Sequence, residues 1–121
     1  MGYMRHNAII VNGPASAIDV VHKRVCNIAA SHDGVCAVTP LTKTSINFYA
    51  SFLVAPDGSK EGWEDSGKGD ETRDEVIAYL ESLRYEDGST SFKFVEVQFG
   101  DDNKETLVLR NSDSVERGAA R

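Results

Sequence analysis

Apolar residues fall into two rhythms along this chain, short runs suited to strands and two stretches with helical spacing. Residues 7–11 form a compact apolar run closed by Asn12-Gly13-Pro14, which predicts a strand followed by a break. Ser16 then stands three residues before Asp19 in the manner of a capping box. Ile18, Val21, Val25 and Ile28 recur every three or four positions, with Lys23, Arg24 and Asn27 between them. This predicts an amphipathic helix that ends before Gly34. Residues 35–39 and 46–54 are rich in β-branched and aromatic side chains and are separated by a polar stretch with Pro40, Lys43 and Thr44, which predicts a hairpin. Residues 55–69 carry four glycines and one proline without an apolar period, so a long surface loop is expected there.

Asp70 is placed to cap a second helix with an acidic first turn of Glu71, Asp74 and Glu75, Arg84 in its last turn, and an apolar face of Val76, Ile77, Leu80 and Leu83. Turns at 86–89 and 100–103 then frame strands over 92–99 and 106–110. From about residue 112 the chain is small and charged, and a frayed tail is expected. The order β-α-β-β-α-β-β predicts an α+β fold, an antiparallel or mixed sheet with both helices packed on one face. At 121 residues with ordinary apolar and charged fractions, the chain is expected to form a single domain over 1–121.

Charge narrows the partners. A formal net charge of -6 argues against sequence-independent binding to long DNA or RNA, which depends on clustered Lys and Arg. A small anion needs only one or two cations and a few N–H groups, so it stays open. No apolar run approaches the roughly 20 residues of a membrane span, and the N-terminal stretch lacks a signal-peptide pattern, so a cytoplasmic protein with no membrane partner is expected. Cys26 and Cys36 are too few for a disulfide scaffold.

Three motifs approach known chemistry and stop short. Residues 62–69 nearly spell a phosphate-binding P-loop, but Gly69 stands where a hydroxyl should bind magnesium, and Glu64 and Asp65 would repel phosphate. Asp57, Ser59, Glu61 and Gly62 match the start of a calcium loop, whose twelfth position is here Lys68 instead of glutamate. His22 and Cys26 lie four apart, with His32 and Cys36 nearby, in a spacing that fits no common zinc finger. No spacing names a nucleophile with its base, and acidic pairs such as Asp65 with Asp70 or Asp101 with Asp102 suit solvated turns. The reading is therefore a binder and not an enzyme, with no metal and no cofactor.

Aromatics near arginines carry more weight. Trp63 stands in a polar loop where no core pattern explains it, and an indole can stack on a base while an arginine takes phosphate. Alternation along 92–99 puts Phe92, Phe94, Glu96 and Gln98 on one face, a candidate exposed aromatic pair. Arg110 shares a face with Thr106 and Val108, opposite Leu107 and Leu109, which predicts a guanidinium free for a ligand or a partner chain.

Three stretches, RHNAIIV at 5–11, SFLVAPDGSKEGWEDSGKGDETR at 51–73 and RYEDGSTSFKFVEVQFGDD at 84–102, resemble small phage proteins of the Thoeris anti-defence sponge family. The resemblance implies a protein made in an infected bacterial host that binds cyclic ADP-ribose-type immune signals without cleaving them. Members of that family also hold cyclic oligonucleotides in some cases, and work as homo-oligomers, dimers or hexamers. Where relatives read Asn-Gly-Tyr, this chain has Asn47-Phe48-Tyr49, and Gly67-Lys68 replaces a Ser-Asp-type pair. The contacts expected from the residues and the resemblance together are Trp63, Tyr85 and Phe94 for stacking, Arg84 and Arg110 for phosphate, and Asn47 and Ser91 for polar recognition. Residues 57–69 are the candidate lid. The alternative is a protein-interaction module that docks on a host enzyme through a strand edge or an aromatic face.

Overall fold

The computed structural model describes residues 4–102 and 105–113. Five strands and two helices follow in the order β1 (His6–Pro14), α1 (Ile18–Ser31), β2 (Thr42–Lys43), β3 (Tyr49–Val54), α2 (Glu64–Glu81), β4 (Lys93–Phe99) and β5 (Leu107–Asn111). The strands form one sheet in the order β2-β3-β1-β4-β5, every pairing antiparallel. This is the predicted α+β class. β1 is central: its middle, residues 8–11, is apolar, and it pairs on both sides.

Register decides the two faces. Ile9 aligns with Val54 and Glu96, and Val11 with Phe52 and Phe94, so these side chains share the face that the helices cover. Ile18, Val21, Val25 and Ile28 of α1 and Val76, Ile77 and Leu80 of α2 complete one core with them. Each fully buried Ile, Val or Leu contributes about 1.5–3 kcal/mol, so this layer dominates the stability. Both helices lie on that face, and the other face of the sheet is left uncovered by any described element.

The second helix begins at Glu64 and not at Asp70. Its buried stripe starts with Ser66, Gly69, Thr72 and Arg73 before it reaches Val76. Spacing of three and four is present, but the residues are small or polar, so no apolar period announces the first two turns. Gly69 is needed in the helix because the Asp57 carboxylate packs against it; a Cβ there would lie 2.0 Å from Asp57 Oδ2. Asp70 consequently caps nothing and receives a hydrogen bond from Arg73 at 2.7 Å. Trp63 is the N-cap residue, without a side-chain cap. The candidate lid over 57–69 is thus half helix, and its remainder is tied down through Asp57 and the buried Ser59.

Other boundaries move for local reasons. α1 starts after Ala17 with no side-chain cap, so the Ser16–Asp19 box does not form, while its end before Gly34 stands as expected. Of the predicted hairpin over 35–39 and 46–54, β3 forms, but 35–39 supplies only the bridge Val38↔Val54. Thr39 Oγ1 accepts the Leu53 N–H there, and Pro40 follows with no N–H to donate, so the ladder passes instead to Thr42–Lys43. Residues 46–48 are a turn, with Asn47 and Phe48 at φ of 59° and 56°. The expected frayed tail lies beyond the described residues from 114 onward. Ser112 is still anchored, with its N–H donating to Phe94 O and its hydroxyl accepting from Phe94 N.

Candidate functional site

Helix α2 ends in a firmly built loop. Arg84 donates to the Glu81 carboxylate through Nε and Nη2, and through Nη1 to Gly88 O at 2.7 Å. Tyr85 N donates to Ser89 O at 2.8 Å, and Gly88 N to Tyr85 O at 2.9 Å. Asp87 accepts from both the N–H and the hydroxyl of Ser89, and these bonds hold its carboxyl below the usual range. Out of this frame stands the Tyr85 ring, 59% exposed, with its hydroxyl 2.8 Å from Ser91 Oγ.

Two residues past Ser91, Lys93 opens β4 opposite Asn12 of β1. On the other side of β1, Ser51 of β3 donates to Asn12 Oδ1 at 2.7 Å, and Tyr49 pairs with Pro14. The turn before Tyr49 presents Phe48, which is 80% exposed; its carbonyl accepts from Ala15 N at 2.7 Å. Strands flanking a central one are roughly 10 Å apart, so the end of β1 is framed by Phe48 and Tyr49 on one side and Lys93, Ser91 and Tyr85 on the other. The register therefore places three exposed rings around this end of the sheet, with the Lys93 ammonium, the Asn12 amide, the Ser51 and Ser91 hydroxyls, and the Asp87 carboxylate of the Tyr85 loop. On the uncovered face the register positions are His6, Ala8, Ile10, Asn12, Pro14, Thr42, Tyr49, Ser51, Leu53, Lys93, Val95, Val97, Phe99, Val108 and Asn111. None is itself a carboxylate, in a chain with 19, but His6 holds the Asp101 carboxylate at the far end of this face.

Of the seven predicted contact residues, the structure brings Asn47, Tyr85 and Ser91 to this end. Arg84 serves it indirectly, as the brace of the Tyr85 loop; its guanidinium is committed to Glu81 and Gly88. The other three lie elsewhere. Phe94 is a core residue at 4% exposure, and Phe92 packs against the same core, so they form no exposed aromatic pair. Arg110 is not free: it donates to Glu96, itself 2% exposed, and to Asp74 at 3.0 Å. A register shift at Glu96/Val97 breaks the alternation of β5 and turns Arg110 to the helix face, opposite Val108, with which simple alternation would group it. Trp63 sits at the far end of α2, whose 18 residues span about 27 Å, and Lys60 lies over its ring at 5.7 Å. Sequence reasoning missed Asn12, Phe48, Tyr49 and Lys93. Only the left-handed tolerance of Asn47 hinted that 46–48 is a turn and not a strand.

The remaining candidates have structural employment. Gly67, Lys68 and Gly69 of the P-loop-like stretch are helical, and Lys68 pairs with Asp33 at 2.7 Å, which lowers the Asp33 carboxyl and raises the Lys68 ammonium. Asp57 of the calcium-like run accepts from the Ser59 N–H and hydroxyl at Oδ1 and from Arg73 at Oδ2. No group of described residues is arranged to hold a metal ion. His22 Nε2 donates to Thr39 O at 2.8 Å, so the nitrogen 3.6 Å from Cys26 Sγ already carries its proton and cannot act as that thiol's base. Burial raises the Cys36 thiol, partly offset by Arg73. No described helix is long and apolar enough to cross a membrane.

The chain matches no family model, no curated protein and no solved structure.

Proposed function

We propose that this protein binds a small cyclic nucleotide of the cyclic ADP-ribose type and holds it without cleaving it, at the aromatic end of the sheet. The juxtaposition of Tyr85, Tyr49 and Phe48 with Lys93, Asn12 and Ser91 carries this reading. A base stacks on an exposed ring for about 1–3 kcal/mol, and a pyrophosphate oxygen accepts from the Lys93 ammonium. Asn12, Ser91 and Asn47 suit ribose hydroxyls and base edges. The resemblance of 51–73 and 84–102 to Thoeris anti-defence sponges supports the ligand class. It also suggests the setting, the cytoplasm of a phage-infected bacterium, and action as a homo-oligomer.

Thermal melting against a panel of cyclic ADP-ribose isomers and cyclic oligonucleotides tests the reading. A ligand at 100 times its dissociation constant adds about 2.7 kcal/mol, and Tyr85→Ala and Lys93→Glu should each remove most of that gain. Equal shifts in wild type and both variants would place the ligand elsewhere. The alternative, an inhibitor that docks on a host enzyme, is favoured by Phe48 and Ile46, 80% and 72% exposed on one turn. Native mass spectrometry of the protein from infected-cell lysate separates the two by the mass retained.

A further inference from the structure

We infer that Ser51, Asn12 and Lys93 form a phosphate subsite, in which Ser51 turns the Asn12 amide so that its nitrogen and the Lys93 ammonium donate to one phosphoryl group. For its ligand class the inference rests on the nucleotide reading above. The three residues stand in one row across β3, β1 and β4, each directly opposite the next. Opposed Cβ atoms in such a row are about 4.5–5.5 Å apart. Ser51 Oγ donates to Asn12 Oδ1 at 2.7 Å. The carbonyl branch of the amide therefore points toward β3, and the planar group sends its NH2 branch the other way, to the side of β4. There a hollow of about 250 Å³ is lined by Ile10, Asn12, Lys93, Phe94 and Val95. Among the described residues, neither the Asn12 nitrogen nor the Lys93 ammonium has a hydrogen-bond or ion-pair partner.

Two donors without an acceptor decide the chemistry. Asparagine reads adenine through both ends of its amide, giving a hydrogen bond to the ring nitrogen and taking one from the amino group. With Oδ1 turned to Ser51 that pairing is closed on the β4 side, and the ligand atom that meets Asn12 must itself accept. A nucleotide offers ring nitrogens, hydroxyl oxygens and phosphoryl oxygens as acceptors. The ammonium one strand away selects the charged ones, because hydrogen bonds to an ionised partner are about twice as strong as neutral ones. Asp87, the carboxylate of the neighbouring loop, is turned to the N–H and hydroxyl of Ser89. The next row on this face, Leu53, Ile10 and Val95, is apolar, so the anion is held by the Asn12–Lys93 edge of the hollow alone. Ser91 and Asn47 are then left for the ribose and the base.

Titration with inorganic pyrophosphate, followed by proton–nitrogen correlation spectra, tests it. Wild type should bind with a dissociation constant on the order of millimolar, and the Asn12 side-chain NH2 resonances should move downfield. Asn12→Ala, which removes the donors without adding a charge, should weaken pyrophosphate about tenfold, as the loss of a hydrogen bond to a charged group implies. In Ser51→Ala the Asn12 NH2 response should disappear while the backbone amide of Lys93 still moves, a split that general loosening of the sheet would not produce. Ser51→Thr, which keeps the hydroxyl, should restore the response and stands in for the alanine variant should that one fail to fold. Pyrophosphate that leaves the Asn12 NH2 unmoved in wild type, or a folded Ser51→Ala protein that responds as wild type does, would overturn the inference. A protein that binds pyrophosphate at Asn12 and responds to no cyclic nucleotide keeps the subsite and loses the functional reading. One that retains a cyclic nucleotide with the Asn12 NH2 unmoved keeps that reading and loses the subsite.

Discussion

Gly67 and Gly69, two positions apart in α2, should respond to alanine with opposite signs. Gly67 faces open space, with no atom within 4 Å of the place an added Cβ would take. Replacing an exposed helical glycine by alanine stabilises by about 1 kcal/mol. At Gly69 the same gain meets an obstacle, because the added Cβ would lie 2.0 Å from Asp57 Oδ2 and 2.7 Å from its Cγ. That carboxylate accepts from Arg73 at 3.1 Å, and both side chains are nearly inaccessible, 8% and 4%. Breaking a buried pair costs about 3–5 kcal/mol, so the net effect of Gly69→Ala is a loss of about 2–4 kcal/mol. With an unfolding entropy of roughly 2.1 cal/mol/K per residue, 1 kcal/mol moves the melting temperature of a 121-residue chain by about 4 °C. Gly67→Ala should therefore melt about 4 °C higher and Gly69→Ala about 8–16 °C lower by differential scanning calorimetry. In an Asp57→Ala background the penalty at Gly69 should vanish. A Gly69→Ala protein as stable as wild type, or a penalty that persists without Asp57, would refute the packing described for this helix.

Phe48 occupies the left-handed region at φ 56°, which costs a side chain about 1–2 kcal/mol. Phe48→Gly should melt a few degrees higher while weakening nucleotide binding, opposite directions that separate strain from contact. Glu96 is enclosed between Arg73 and Arg110, so Glu96→Ala should cost about 3–5 kcal/mol in urea unfolding, more than a cavity of its size would. Cys36 holds its proton more tightly folded than unfolded because burial raises its thiol. The unfolded chain therefore ionises first as pH rises, and stability contributed below the ordinary value of 9.0 is lost above it, a slope that Cys36→Ala should flatten. Alkylation of the native protein should mark Cys26 before Cys36, read by mass spectrometry.

The central strands and the first helix are legible in the sequence because their buried residues are apolar at the right period, whereas the expected strand over 35–39 supplies only a bridge and the exposed pair Thr42–Lys43 takes the edge instead. Ile9 and Val11, or Val21, Val25 and Ile28, announce a face by themselves. The start of α2 is not legible, because its buried stripe is Ser66, Gly69, Thr72 and Arg73, and what satisfies it is an ion pair with Asp57, 16 positions earlier. Glu96 and Arg110 hide for the same reason: each looks like a solvated charge until the sheet brings them together beside Arg73. The site is legible in part. Tyr85 and Ser91 lie in one loop, so their contact is local. Asn12, Tyr49 and Lys93 come from three strands and meet only through the register of β1 with β3 and β4. Phe94 goes to the core, and not to a ligand, because alternation says which residues share a face and not which face meets the helices.

Retention of intact ligand tests the central claim most directly. Purified protein is incubated with a cyclic ADP-ribose isomer, freed of unbound nucleotide by dialysis and denatured by heat, and the released compound is identified by mass spectrometry. Recovery of unaltered cyclic nucleotide in a fixed ratio to protein, lost with Tyr85→Ala, is the predicted result. Release of a hydrolysed product, or no retained nucleotide from any isomer, would contradict it.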